Sequence, residues 1–228
     1  MRTTPSVIVL DVNGTLSNLS GLGARFIQAG APAYLADVWF AGLLRDGFAL
    51  AATGANEPFA RIGEQNLRTL LRDAPLIQDV DEAVRQVMEG FAELGLHPDS
   101  GPGIGALKES GYRLVTLSNG SAEVARQLFA QAGIEQHFEA LLSVENARQW
   151  KPARAAYDYA ARVCETDPGQ MLLVAAHPWD IHGASRAGLR TAWLNRTGSP
   201  YPEYFDAPDH TIKTVAELVP ALRRSSPG

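Results

Sequence analysis

Residues 7 to 18 read VIVLDVNGTLSN: four apolar residues, a carboxylate at Asp11, and a turn through Asn13 and Gly14. An apolar run that stops on turn residues and is followed by helix-compatible sequence predicts a strand buried on both faces of a parallel sheet. In open α/β sheets, ligands bind in the crevice beyond the carboxyl ends of the strands. Asp11 is therefore placed at an active-site address.

Working outward, RLVTLS (113–118), EALLS (139–143), MLLVAA (171–176) and RTAWL (190–194) are short apolar segments separated by amphipathic stretches of helical length. That alternation predicts a parallel sheet with helices on both faces. In SAEVARQLFAQAG (121–133), Val124, Leu128, Phe129 and Ala132 share one helical face, Ser121 caps the start and Gly133 stops the end. Residues 19 to 97 differ: their patterns are helical with no convincing strand, which predicts an all-helical insert after the first strand. HPDSGPG (97–103) is rich in structure-breaking residues and marks the return to the sheet. The predicted organisation is a catalytic core from 1–18 and 98–228 and a helical cap from 19–97.

Composition narrows the function. The chain has 228 residues, 46% of them hydrophobic and 20% charged, as in ordinary globular proteins, and no apolar stretch reaches the length of a membrane span. A net charge of −5 gives no electrostatic footprint for nucleic acid. A small molecule is the expected partner. The N-terminus shows no secretory pattern, so a cytoplasmic location is expected. The lone Cys164 excludes an internal disulfide framework and reads as a structural thiol.

The strand ends collect the chemistry. Asp11 is followed by Asn13 and Thr15; the second strand ends in Ser118 and Asn119; Lys151 stands before Pro152; and the fourth strand leads into His177, Trp179 and Asp180. Together they supply a nucleophile candidate, a hydroxyl and amide pair, a cation and a second acid.

DVNGTL, LSNG, WKP with Tyr157 six residues after Lys151, and HPWDIHGASRAGLRTAWLNRTG make four motifs in order. In them the chain resembles the haloacid dehalogenase superfamily, and within it the type II (S)-2-haloacid dehalogenases. The resemblance spans nearly the whole chain. It implies a Rossmann-like core, a closing helical cap, and attack by the Asp11 carboxylate on the halogen-bearing carbon of a short 2-halocarboxylate. The resulting ester is then cleaved by water. It further implies that Lys151 keeps Asp11 ionised, that Thr15 orients it, and that Asp180 places or activates the water. Ser118 and Asn119, with the backbone N–H groups of the next helix, would anchor the substrate carboxylate. No cofactor and no metal are implied, and a homodimer is left open.

Pocket walls are less sharply marked. Trp39, Phe40, Phe48 and Phe59 read mostly as cap packing, with one or two facing substrate; Trp179 joins the wall, and Tyr157 is a substrate contact or plain core. The family places a halide-binding arginine in the early cap helix near Trp39 or Phe40, and Arg45 is the closest cation here. The family also has a tyrosine where Asn13 stands, and a serine and an asparagine at Ala175 and His177. Three readings of His177 stand side by side: a structural imidazole, a halide donor, and a base for ester cleavage.

The competing reading is a superfamily phosphatase. Those enzymes protonate the leaving alkoxide with an aspartate two residues after the nucleophile, where this chain has Asn13, an amide with no acidic proton. They also carry an acid for magnesium four residues before Asp180, at Ala176. A third reading, a ligand-binding protein without chemistry, is opposed by the intact Asp11, Lys151 and Asp180.

Overall fold

The apolar run after Ser6 forms strand β1 (Val7–Leu10), every residue of it buried, in a computed structural model that describes residues 4–224. The other strands are β2 (Arg113–Ser118), β3 (Ala140–Ser143), β4 (Met171–Ala175), β5 (Arg190–Leu194) and β6 (His210–Ile212). They form one parallel sheet in the order β3-β2-β1-β4-β5-β6. The chain leaves β1 toward β2 on one side and later returns to place β4 on the other. The crevice at such a reversal is where this class of sheet binds ligands, and Asp11 follows β1 directly into it.

Helices cover both faces. Ile8 and Leu10 pack with α5 (Ser100–Glu109), α6 (Ala122–Gln131) and α10 (Leu218–Arg224). Val7 and Val9 face the opposite layer, with α8 (Arg154–Val163) and α9 (Pro178–Ala187), while the four-residue α7 (Val144–Ala147) follows β3. Each apolar side chain fully buried this way contributes about 1.5–3 kcal/mol.

The insert is an all-helical cap of α1 (Leu22–Gln28), α2 (Leu35–Ala52), α3 (Phe59–Leu71) and α4 (Val80–Ala92). Its entry and exit run side by side: Asn18 N–H donates to Gly95, His97 N–H donates to Leu16, and Ser17 bridges Leu96. Among the described residues, no helix is long and apolar enough to cross a membrane.

Four details depart from the sequence pattern. HPDSGPG is not all loop, because α5 starts at Ser100 and contains Pro102. Proline is tolerated in a first turn, where its missing N–H has no intrahelical acceptor. Gly103 is required there, since a Cβ would stand 2.4 Å from that of Val215. In α6 the buried face is Ala125, Leu128 and Phe129; Ala132 is the exposed C-cap, and Val124 is only half-buried. The short edge strand β6 carries too few apolar residues to stand out. Strand ends also shift by one residue, with Glu139 and Ala176 outside β3 and β4.

Candidate active site

The turn after Asp11 is built by one carbonyl and one glycine. Val12 C=O accepts from the N–H groups of Thr15, Leu16 and Ser17. Gly14 has φ +75°, and a Cβ on it would meet the His177 imidazole at 3.2 Å. A side chain here would be strained and would displace His177.

Both Asp11 oxygens are engaged. Oδ1 lies 2.8 Å from Lys151 Nζ, and Oδ2 accepts from Thr15 Oγ1 at 2.5 Å. Thr15 is itself fixed, since its hydroxyl accepts from Ala176 N–H at 3.0 Å. Burial alone would raise the Asp11 pKa, but the nearby charges of Lys151 and His177 and the bonds from Lys151 and Thr15 outweigh it and hold it below the usual value.

Lys151 is fully buried, and its Nζ also reaches Asp180 Oδ2 at 2.5 Å. Burial favours losing its proton; the two carboxylates prevail and raise its pKa. Asp180 sits in the first turn of α9, which opens with Pro178 at a position suited to proline. Burial, joined by the charge of Asp11, raises the Asp180 pKa despite Lys151. The two carboxylates are thus driven apart, one toward permanent ionisation and the other toward taking up a proton.

Tyr157 does not face the space above Asp11. Its hydroxyl donates to Asp180 Oδ1 at 2.6 Å, so it holds the second carboxylate instead. Gly183 on α9 makes this possible, because a Cβ there would lie 2.6 Å from the Tyr157 oxygen.

Asn119 is likewise turned to internal work. Its Oδ1 accepts from Lys151 N–H at 2.9 Å and its Nδ2 donates to Lys151 C=O at 3.3 Å. One of its two amide hydrogens thus fixes the lysine backbone, and Asn119 also lines the space over Asp11, which leaves the second N–H as a donor there. Ser118 Oγ accepts from Gly120 N–H.

His177 Nε2 lies 2.8 Å from the Asn13 carbonyl and 3.7 Å from Asp11 Oδ2. A carbonyl only accepts, so Nε2 carries the hydrogen. The ring stacks on Trp179 at 5.2 Å between centroids and tilts against Phe40 at 6.1 Å.

A small pocket opens over Asp11, walled by Phe40, Leu44, Phe59, His177 and Trp179, with Asn13 and Asn119 also on its lining. Its free space is about 10 Å³, enough for roughly one water. On α2, Phe40 and Leu44 point to the pocket, and Phe48 packs edge-on to Trp179 at 4.9 Å. This stripe repeats every four residues. Trp39, one residue off it, is buried inside the cap, where Nε1 donates to Gly63 C=O and the ring meets Phe91; it does not reach the pocket. Arg45 also fails to arrive. Its side chain is 73% exposed, pairs with Asp46, and lines a groove on the outer side of α2 and α3.

Three contributors escape the motif reading. Leu44 could have been found from the spacing after Phe40. Arg196 lies inside the fourth motif, where it donates to Thr15 C=O at 2.8 Å and pairs with Asp99. Trp150, next to Lys151, donates to Glu57 C=O and stacks on Phe59, tying the core to the cap.

Residues 5–188 match the haloacid dehalogenase-like hydrolase family. The chain belongs to that family. It is 33% identical over 142 residues to haloacetate dehalogenase H-2 of Moraxella sp. (strain B), a match covering 62% of this chain and 63% of that one. It is 27% identical to the (S)-2-haloacid dehalogenase of Pseudomonas sp. (strain YL), over 93% of this chain and 92% of that one. The crystal structure of the L-2-haloacid dehalogenase RSc1362 superposes with a TM-score of 0.90 at 28% identity, covering 97% of this chain and 100% of the other.

Proposed function

We propose that this protein is a hydrolytic dehalogenase of short 2-haloalkanoic acids. A carboxylate oxygen of Asp11 attacks C2 from behind, the C–X bond breaks, and halide leaves with the bonding electrons. The product is an ester of Asp11 with inverted C2. Asp180 takes a proton from water as the water oxygen adds to Cγ of Asp11. The bond from Cγ to the substrate oxygen then breaks, and that oxygen takes up the proton of the newly formed carboxyl. A 2-hydroxy acid leaves with Asp11 restored as carboxylate, while the proton on Asp180 passes to solvent. The observation that carries this reading is the Asp11–Lys151–Asp180 chain of contacts beneath a small, largely apolar pocket. The names of the relatives in strains B and YL support it, and the tight pocket favours acids of two or three carbons.

The phosphatase reading fits these residues poorly. Asn13 has no proton to give an alkoxide, whereas halide needs none. Nor do the residues fit magnesium: Lys151 Nζ stands between the two carboxylates, and Ala176 brings no oxygen from its side chain. The ammonium supplies the positive charge.

We place the activity in the cytoplasm, and light scattering decides between a monomer and the homodimer that the sequence leaves open. The deciding experiment is halide release from (S)- and (R)-2-chloropropionate, chloroacetate and fluoroacetate with a chelator present, for wild type and Asp11→Asn. Enantioselective release that vanishes in the variant supports the proposal. No release from any of the four acids overturns it.

A further inference from the structure

Thr15 orients Asp11, yet it stands just before the chain leaves the core for the cap. The outgoing segment, Leu16 to Asn18, runs beside the returning one, Gly95 to His97: Asn18 N–H donates to Gly95 C=O at 2.8 Å, and His97 N–H donates to Leu16 C=O at 2.9 Å. The cap is carried on this narrow ribbon, so a rotation of the cap pulls directly on Leu16. Something has to keep that pull from Thr15.

Arg196, two residues beyond the end of β5, is placed to do so. Its Nη1 donates to Thr15 C=O at 2.8 Å, while Nε and Nη2 donate to the two oxygens of Asp99 at 2.9 and 3.1 Å. Asp99 follows the returning segment, and its Oδ2 also accepts from Val215 N–H at 3.0 Å, which ties it to the body of the core. Ser100, next in sequence, is fully buried and donates to Leu16 C=O at 3.2 Å. One guanidinium thus holds the chain on both sides of the foot of the ribbon.

Both side chains of the Arg196–Asp99 pair are only 19% exposed. An ion pair so far out of water often adds little to stability over apolar packing, so the distinctive contribution of the fork is geometric. Arginine offers five donors in a fixed plane; a lysine ammonium cannot reproduce two parallel bonds to Asp99 and a third to Thr15. The effect on Thr15 is direct. Its N–H is bound to Val12 C=O and its C=O to Arg196, and a β-branched residue has few χ1 choices once its backbone is fixed. The hydroxyl is then aimed at Asp11 Oδ2, which it reaches at 2.5 Å while accepting from Ala176 N–H.

Resting on the dehalogenase reading, we propose that Arg196 is a positioning residue for the attack step: it pins Thr15 to the core at the foot of the cap hinge, so that Asp11 stays aligned with C2 as the cap moves. Attack is the step sensitive to this, because a misplacement of about 1 Å costs about 100-fold in rate. Arg196 acts from a distance. It borders a separate cavity of about 360 Å³, shared with His97 and Trp193, and not the space over Asp11.

The test compares Arg196→Ala and Arg196→Lys with wild type; the lysine variant keeps a charge beside Asp99 should the alanine variant fold poorly. Single-turnover halide release from chloroacetate is expected to slow about 100-fold with alanine and about 10-fold with lysine, with steady-state KM little changed. A second readout needs no turnover. The Ala176 N–H, whose acceptor is the Thr15 hydroxyl, is expected to exchange with solvent faster in the variants while the β1 amides keep their wild-type rates. Unchanged release rates in both variants overturn the proposal, as does a loss confined to KM or an Ala176 N–H that exchanges no faster relative to β1. If that exchange rises in the variants while wild type releases no halide, the positioning role of Arg196 stands and the dehalogenase reading falls.

Discussion

Lys151 Nζ bridges Oδ1 of Asp11 at 2.8 Å and Oδ2 of Asp180 at 2.5 Å, so one buried ammonium is shared by two buried carboxylates. Removing it leaves both acids uncompensated. Lys151→Met is expected to cost about 3–5 kcal/mol of stability near neutral pH. The sign with pH follows from the shifts. The raised Lys151 pKa gives stability present below its unfolded value of about 10.5 and lost as pH rises through the folded value. In the variant, the unpaired carboxylates titrate upward, so protonation on acidification relieves them. Urea unfolding from pH 5 to 11 should show the gap between wild type and variant widest in the middle and narrowing at both ends. A constant gap would mean that the lysine acts by packing alone.

Tyr157 tunes Asp180, and its effect should appear in a pH profile. Burial and Asp11 raise the Asp180 pKa, while the Tyr157 hydrogen bond opposes them. If ionised Asp180 is the base, kcat falls as pH drops through that pKa. Tyr157→Phe removes a lowering influence, so the acid limb of kcat should move to higher pH. The wild-type limb, unmoved in the variant, would take the base role from Asp180.

Arg45 gives a prediction of the opposite kind. Its exposed side chain is paired with Asp46 on the outer side of the cap. Arg45→Ala is expected to leave kcat, KM and halide inhibition unchanged in steady-state assays. A large rise in KM would place the cation at the site during turnover.

These outcomes mark where the sequence was legible. Apolar strands followed by Asp11, Ser118 and His177 could be read directly, because a parallel sheet collects its strand ends at one edge. Lys151 and Asp180 were also legible, since Lys151 stands directly before Pro152 and Asp180 two residues after Pro178, which opens its helix. What could not be read was the aim of side chains. Trp39 and Phe40 differ by one position on α2, about 100° apart around the helix, and only packing decides which meets the pocket. Asn119 and Asn13 offer the same amide, and which one holds the lysine backbone depends on contacts spanning 32 residues to Lys151. Arg45 was reachable by counting turns but not by direction.

Cap attachment depends on Trp150, which is fully buried, donates to Glu57 C=O and stacks on Phe59. Gly47 on α2 leaves room for it: a Cβ there would lie 2.4 Å from the indole ring. Gly47→Ala is therefore expected to destabilise by about 1–3 kcal/mol through overpacking, despite the better helix propensity of alanine. Thermal unfolding measures this. A more stable variant would show that the indole has room to move.

His177 closes the small pocket, and its replacement should alter which halogen fits. The imidazole is held from below by the Asn13 carbonyl, stacked on Trp179 and tilted against Phe40, so it works as a rigid wall as well as a dipole aimed near Asp11. Asparagine is smaller and cannot stack. In His177→Asn the pocket gains volume and loses a flat surface, while Asp11 keeps Lys151 and Thr15. The expected result is lower kcat/KM for chloroacetate, a smaller loss for bromoacetate, and so a rise in the bromide-to-chloride ratio. If His177 were instead the base for ester cleavage, both substrates would lose kcat equally and ester would accumulate on Asp11, visible as a mass increase of the intact protein after a single turnover.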